Sequence, residues 1–396
     1  MWRALSAGKS RITLHKAFWR RQKSANERVR IAIVIDRIFR WNGAGTERHL
    51  AQLLEVLDRD SYDPAVFTFE PSGHVLPSRL DFPVEVIPPG DPKQHVQLLV
   101  HLTATLRRFR PHIVQTFFRD ATYFGPIAAR LAQACAVVIS QRDVGEPAQW
   151  WESPTMRVLG RTADSWICNA PSVRDWVVAK CWAKFKKIEV LPNCVDLDRF
   201  RPPSKPEREA ARRRLGLPLD APILVSVANL RPVKGLSTIV EAASLIGAKL
   251  PGARFYLIGE GPDSAELSTK IRSLGLTNAV WLVGAQSDVA LWLTAADIGL
   301  LTSFREGSSN ALLEYIASGL PSVVSDIPSN RELIDDVFFP PGNVETLAKE
   351  IVRLWNQVEF RQRLGQDYRR RATQFSQSVF AERANRFYAE LVRKHC

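Results

Sequence analysis

From Val29 onward the chain alternates short apolar runs with amphipathic stretches of ten to fifteen residues, and it does so twice. "VRIAIVID" reads as a strand and "TERHLAQLLEVLD" as a helix, with "PAVFTF" and "VEVIP" as strands after them. "VQLLVHLTATLRRF" and "GPIAARLAQA" read as helices, and "HIVQTF", "AVVISQ", "DSWICN" and "KIEVLPN" as strands. Such alternation implies βαβ units and a parallel sheet. "RPPSKPEREAARRRLGLPLDAP" interrupts it with prolines and charge, as a linker does. The alternation then restarts at "ILVSVANL" and runs to "PSVVSD". We therefore expect the α/β class with two open domains in tandem. A basic leader spans 1–28, a first domain 29–200, a linker 201–221 and a second domain 222–375, and a final helix over 376–396 packs back on the first domain. A length of 396 residues agrees with two cores.

Charge narrows the partners. The net charge of +13 is concentrated, since residues 1–30 hold nine Lys/Arg against one Glu and the remainder is nearly balanced. Nucleic-acid binding would need basic residues interleaved with aromatics over a folded face, and that pattern is absent. In the leader, Leu14 and Phe18 stand at helical spacing among Arg11, Lys16, Arg20, Arg21 and Lys23. That composition fits an interfacial helix on an anionic membrane, and equally a solubilising tail. No apolar run approaches the ~20 residues of a membrane span, and no signal-peptide pattern opens the chain. Five scattered cysteines without a C-x-x-C pair point to a reduced, cytoplasmic protein with no cysteine-built metal site.

In open α/β sheets ligands bind at the carboxyl ends of strands, so the loops there hold the candidates. "DIGLLTSFREGSSNALLEYIASGLPSVVSD" places Glu306 just past a buried-type strand. Ser308 or Ser309 can cap the following helix, and Gly319 and Pro321 stop it. Glu314 lies inside that helix on a face of short side chains (Asn310, Ala311, Ser318), while Leu313, Ile316 and Leu320 face the sheet. The free N–H groups at the helix start can take an anion. The two carboxylates are roughly 10 Å or more apart. They suit a ligand with hydroxyls at both ends and a charged middle, the shape of a nucleotide sugar. Ordinary surface glutamates are the competing explanation.

Three stretches favour the ligand. "VANLRPVKGLS" puts Arg231 and Lys234 in the loop after the second domain's first strand, where two cations can neutralise a diphosphate. A solvated basic loop is the plainer reading. "IGEGP" sets Gly259, Glu260 and Gly261 at the end of the next strand, where glycine permits close backbone approach. "RWNGAGTERHL" sets Gly43 and Gly45 between the first strand and first helix, with that helix start toward an anion across a cleft.

Together these segments, with "VLPNCVDLDRFRP", resemble the retaining nucleotide-sugar glycosyltransferases of the GT-B fold, specifically glycosyltransferase family four. The resemblance is continuous from about 188 to 340 and weaker over 31–57. It implies two Rossmann-like domains facing each other across a cleft and a UDP- or GDP-sugar donor, with no cofactor beyond that donor and no metal. It also implies that Arg231 and Lys234 hold the donor diphosphate, Glu306 meets the sugar hydroxyls and Glu314 binds the ribose. Gly45 would approach the diphosphate from the acceptor side, and the backbone of Gly307, Ser308, Ser309 and Asn310 would border the hexose. The implied reaction retains configuration by front-face attack, with the leaving phosphate taking the proton of a saccharide or lipid-linked acceptor. Its setting would be surface polysaccharide or glycolipid synthesis, in the cytoplasm or on the cytoplasmic face of the membrane. The chain departs from the pattern at Cys194, where the family has glycine. It departs again at Gln115 and Thr116, in the segment where many members carry histidine. Arg119, Asp120, Arg142 and Asp143 are the polar candidates from the first domain, Arg142 being the one assigned to substrate.

Preorganised cations and N–H dipoles that stabilise the charge on a leaving diphosphate are the strongest catalytic device open to such a site. Two alternatives remain open: a nucleotide-sugar epimerase of the same fold, and a non-catalytic subunit of a polysaccharide assembly. A glycoside hydrolase would need its carboxylates ~5–9.5 Å apart across one bond, which the position of Glu314 serves poorly. The dehydrogenase pattern G-x-G-x-x-G is incomplete. The D-x-D triplets at Asp58–Asp60 and Asp196–Asp198 are explained by turn chemistry rather than a metal.

Overall fold

Two parallel sheets account for the two runs of alternation. The computed structural model describes residues 27–38, 45–70, 82–87, 95–145, 152–184 and 187–396. The leader up to residue 26 and Gly43 lie outside them. The first sheet contains β1 (Val29–Ile35), β2 (Tyr62–Thr68), β3 (Val84–Val86), β4 (Ile113–Phe117), β5 (Ala136–Gln141), β6 (Ser165–Cys168) and β7 (Ile188–Val190). Helices α1 (Gly45–Val56), α2 (His95–Phe109), α3 (Arg119–Leu131), α4 (Glu152–Thr162) and α5 (Pro171–Ala179) connect them. The strand order is β3-β2-β1-β4-β5-β6-β7, so winding reverses between β1 and β4. Helices on both faces leave β4 buried along its whole length, which is why it reads as a continuous apolar run. Side-chain alternation divides β1 cleanly. Ile31, Ile33 and Ile35 enter one core layer and Ala32 and Val34 the other.

In the chain between the two sheets comes α6 (Lys205–Leu215), inside the proline- and charge-rich stretch and packed on the second domain's core through Ala211. Ser204 and Glu207 close a reciprocal capping box at its start, and Gly216 ends it in a left-handed conformation. The second sheet contains β8 (Ile223–Val227), β9 (Arg254–Ile258), β10 (Val280–Gly284), β11 (Ile298–Leu301), β12 (Ser322–Ser325) and β13 (Phe338–Phe339). Helices α7 (Leu236–Ile246), α8 (Ser264–Ser273), α9 (Val289–Ala295), α10 (Asn310–Ala317) and α11 (Pro328–Arg331) lie among them, and α12 (Val344–Asn356), α13 (Val358–Ala372) and α14 (Gln377–His395) follow. The order β10-β9-β8-β11-β12-β13 places this sheet's reversal between β8 and β11.

The last helix, α14, crosses back to the first sheet. Phe380, Ala384, Phe387, Tyr388 and Leu391 join Ile31, Ile33, Leu50 and Leu53 in one layer of that core. Arg369 of α13 ties the crossing region together, donating to the carbonyls of Phe200 at 2.8 Å, Ala317 at 2.9 Å and Leu197 at 3.1 Å. The two D-x-D triplets close turns. Asp58 accepts from the amide of Asp60 at 3.0 Å, and Asp196 accepts from the amides of Asp198 and Arg199 at 3.0 and 2.9 Å. Cys194 is buried and is not among the described non-glycine residues with positive φ, so no left-handed turn is needed there. Among the described residues no helix is long and apolar enough to cross a membrane.

Candidate active site

The carboxyl edges of the two sheets face each other, and the contacts between them define a cleft. On the second domain, the loop after β8 turns through a short 3-10 helix, Pro232–Lys234, and ends at Gly235. Only glycine serves there. Its φ is 61°, and a Cβ would stand 2.4 Å from the carbonyl oxygen of Thr302. That approach lets the loop zip onto the one after β11: Phe304 N donates to Val233 O at 2.9 Å and Thr302 Oγ1 to Lys234 O at 2.9 Å. Lys234 Nζ is thereby brought 2.6 Å from Glu306 Oε1, which also accepts from Ser303 Oγ at 2.6 Å. Ser303 is itself braced, its carbonyl accepting from Ser325 Oγ at 2.6 Å. Arg231 is exposed on the same loop, with no side-chain partner among the described residues.

Ser309 caps α10, its Oγ accepting from Leu312 N at 3.3 Å. Glu314, one turn in, is 4% exposed rather than open to approach. The polar group that reaches it is Arg48 of α1, which donates to Glu314 Oε1 from the opposite domain. Burial raises the pKa of Glu314, and Arg48 opposes that rise. Gly259 and Gly261 are required by the neighbouring backbone, because a Cβ would meet Ala228 O at 1.9 Å and Leu230 O at 2.2 Å. Glu260 between them is exposed, and its carbonyl accepts from Leu230 N at 2.9 Å.

The first domain presses on Gly307 to Asn310. A Cβ on Gly307 would lie 2.0 Å from Arg142 O and 3.0 Å from Asn169 Nδ2. Asn193 Nδ2, at the end of β7, donates to Ser308 O at 3.1 Å and to Asn310 Oδ1 at 2.6 Å. The position of a Gly45 Cβ is 3.5 Å from Asn310 Nδ2. Arg142 donates to Asn193 Oδ1, while its Nε and Nη1 are buried without a partner among the described residues. Burial pushes its pKa down to about 9. Asp143 feels Glu306, Arg305 and Lys234 across the cleft. Its pKa is raised, first by burial, against an amide donor from Val144.

Strand β4 holds no titrating group in the cleft. Gln115 is a core residue, donating to Ser140 Oγ at 2.8 Å and accepting from Tyr388 Oη. Helix α3 starts at Arg119, earlier than its "GPIAARLAQA" segment, so Arg119 and Asp120 occupy its first turn. Asp36, just beyond β1, accepts from the amides of Asp120 at 3.0 Å and Ala121 at 2.6 Å. Its pKa is pushed up to about 6, chiefly by burial.

Sequence reasoning passed over Arg48, His49, Asn169 and Asn193. Polar residues one and three positions past a strand end were the available signal for the two asparagines. His49 carried none. It is fully enclosed against Phe380, ring centroids 5.3 Å apart, and Phe117, at 6.4 Å. Both its ring nitrogens lack a partner among the described residues, and burial, with the nearby charge of Arg142, holds it neutral.

The two halves of the chain match two family models. Residues 43–199 match Glycosyltransferase Family 4, and residues 207–371 match Glycosyl transferases group 1. The chain has the GT-B fold and is related to these two glycosyltransferase families. Among curated relatives, the chain is 31% identical to the putative glycosyltransferase EpsD of Bacillus subtilis, over 49% of its own length and 52% of the relative's. It is 28% identical to an Escherichia coli UDP-Gal:alpha-D-GlcNAc-diphosphoundecaprenol alpha-1,3-galactosyltransferase, over 61% and 64% of the two chains. The match therefore spans between half and two thirds of the length of these relatives. Among solved structures, Anabaena HepE in complex with UDP and glucose has a TM-score of 0.77 at 20% identity, covering 92% of this chain and 99% of that one. WaaG, involved in lipopolysaccharide biosynthesis, has a TM-score of 0.72 at 16% identity, covering 90% and 98%. At these identities the structural likeness speaks to the fold.

Proposed function

We propose that the protein transfers a hexosyl unit from a UDP- or GDP-sugar to a saccharide or lipid-linked acceptor, in polysaccharide or glycolipid synthesis, with retention and without a metal. The observation that carries this reading is the Lys234–Glu306 pair, 2.6 Å apart where the second sheet's winding reverses, with Arg231 beside it and without a side-chain partner among the described residues. Strand-end crevices at such reversals are where α/β sheets take nucleotides. Relatives support the donor class: one is a UDP-galactose transferase by name, and the HepE complex contains UDP and glucose.

In this reading Glu306 and Lys234 neutralise each other until donor arrives. The diphosphate then takes Lys234 and Arg231, and Glu306 turns to the sugar hydroxyls. As the glycosidic bond breaks, charge grows on the leaving phosphate, and the two cations with the amides at the start of α10 stabilise it. The pentose takes Glu314, displacing Arg48. The leaving phosphate oxygen accepts the acceptor's proton. Arg142 presents its unpartnered N–H groups from the first domain, and the backbone of Gly307 to Asn310 borders the hexose. The leader 1–28 supplies contact with an anionic membrane surface, and partition onto anionic vesicles that survives its deletion rejects that element.

The deciding experiment is a thermal-shift screen of UDP- and GDP-sugars, followed by assay of nucleoside diphosphate with and without acceptor. Release only when acceptor is present is expected. Donor turnover to an epimer without acceptor would replace this reading with the isomerase one.

A further inference from the structure

Each sheet has one crevice where its strand order reverses, between β8 and β11 in the second domain and between β1 and β4 in the first. The proposed donor chemistry furnishes the second crevice with Arg231, Lys234 and Glu306 and leaves the first unassigned. Two residues stand in that first crevice: Asp36, one past β1, and Phe118, one past β4. Register sets them level, because Ile35 pairs with Phe117. Phe117 also pairs with Ser140, so Phe118 is level with Gln141 and adjoins Arg142, whose carbonyl touches Gly307 of the donor domain.

The backbone at Phe118 has φ 69° and ψ −177°, a region populated almost only by glycine. Asp36 holds it there. Its two carboxylate oxygens take the amides of Asp120 and Ala121 at 3.0 and 2.6 Å, which pins the start of α3 immediately after the strained residue. If the turn needed only this backbone path, glycine would supply it without strain. The chain instead carries a phenylalanine that is 37% exposed. Beside it the exposed Arg119 and the half-buried Asp120 pair with each other at 3.1 Å, placing donors and acceptors next to the ring. An aromatic face is electron-rich and complements the C–H face of a pyranose. Ligand sites combine such apolar surfaces with a few convergent polar groups.

We propose that Phe118 is the acceptor platform, its ring stacking against the acceptor's sugar ring while Arg119 and Asp120 take hydroxyls. This rests on the transferase reading above. The flat ring then selects acceptors that present an unsubstituted C–H face.

The test uses the full chain saturated with UDP, with octyl glucoside, octyl galactoside and octyl N-acetylglucosaminide as probes. Saturation-transfer NMR and titration compare wild type with Phe118→Tyr, Phe118→Leu and Phe118→Gly. Pyranose C–H protons are expected to saturate in wild type and in the Tyr variant, with affinities within about twofold of each other. The Leu and Gly variants are expected to bind at least about tenfold more weakly while UDP affinity changes less than about twofold. Rescue by the Tyr variant is what a merely structural role would not produce. Unchanged glycoside binding in the Leu and Gly variants overturns the proposal, as do losses confined to octyl-chain protons. A wild-type chain that binds neither UDP nor GDP overturns the transferase reading itself, a separate result.

Discussion

In the proposed site, loss of Lys234 or Glu306 is expected to separate chemistry from folding. Glu306 keeps Ser303 Oγ as a donor when Lys234 is removed, so neither partner is stranded in a dry core. Lys234→Ala or Glu306→Gln is expected to lower turnover about a hundredfold or more, the size of a lost transition-state contact, with the melting temperature little changed. Near-wild-type steady-state rates in either variant would remove the assigned role. Asp36 makes a different prediction. Its pKa is about 6 in the fold against 3.8 for an unperturbed carboxyl, so folding favours the protonated form. The stabilising contribution is present below about pH 4 and is lost as pH rises through about 6. Asparagine cannot ionise. Relative to wild type, Asp36→Asn should gain roughly 2–3 kcal/mol between pH 4 and 7, on top of a constant loss from one missing acceptor. Urea melts at several pH values would show a flat difference if Asp36 titrates normally. At this scale legibility followed chain proximity. Glu306, Lys234 and Arg231 each stand one short loop from a readable strand. His49 and Arg48 sit mid-helix and acquire their surroundings from Phe380 and Glu314, hundreds of residues away in the chain.

The elements that escaped prediction are those with weak patterns. Helix α5 buries only Val173 and Val177, and α6 buries only Ala211 and Arg212, so neither carries an apolar stripe wide enough to read. Strand β13 is two residues long. By contrast, β4, β5, β8 and β11 are central strands covered on both faces, and their apolar runs were plain. Helix α14 is held to the first sheet partly by a polar contact, the donation from Tyr388 Oη to Gln115 Oε1. Tyr388→Phe leaves that oxygen buried without its donor, and a loss of about 1–3 kcal/mol is expected. A variant as stable as wild type in chemical denaturation would mean the pair contributes nothing net.

At the scale of the whole molecule, the cleft is bridged by Arg48 to Glu314, by Asn193 to Ser308 and Asn310, and by the amide of Ser172 to Glu332 at 2.6 Å. None of these bridges is local, which is why they were invisible to strand and helix patterns. If the pentose takes Glu314, the Arg48 bridge must open when donor binds. A double-mutant cycle of Arg48→Ala and Glu314→Gln should then show coupling of about 1–3 kcal/mol without nucleotide and little under saturating UDP. Equal coupling in both conditions would mean that the nucleotide leaves the bridge intact. The return of α14 carries a consequence for how the protein is made. Phe380, Phe387 and Leu391 leave the ribosome only after the entire second domain, so the first domain waits, one layer of its sheet uncovered, for roughly 10–40 s at ordinary elongation rates. During biosynthesis the half translated first is thus the half that finishes last, and a released chain cut back to residue 375 should be open to protease around β1 and α1 while its later half resists.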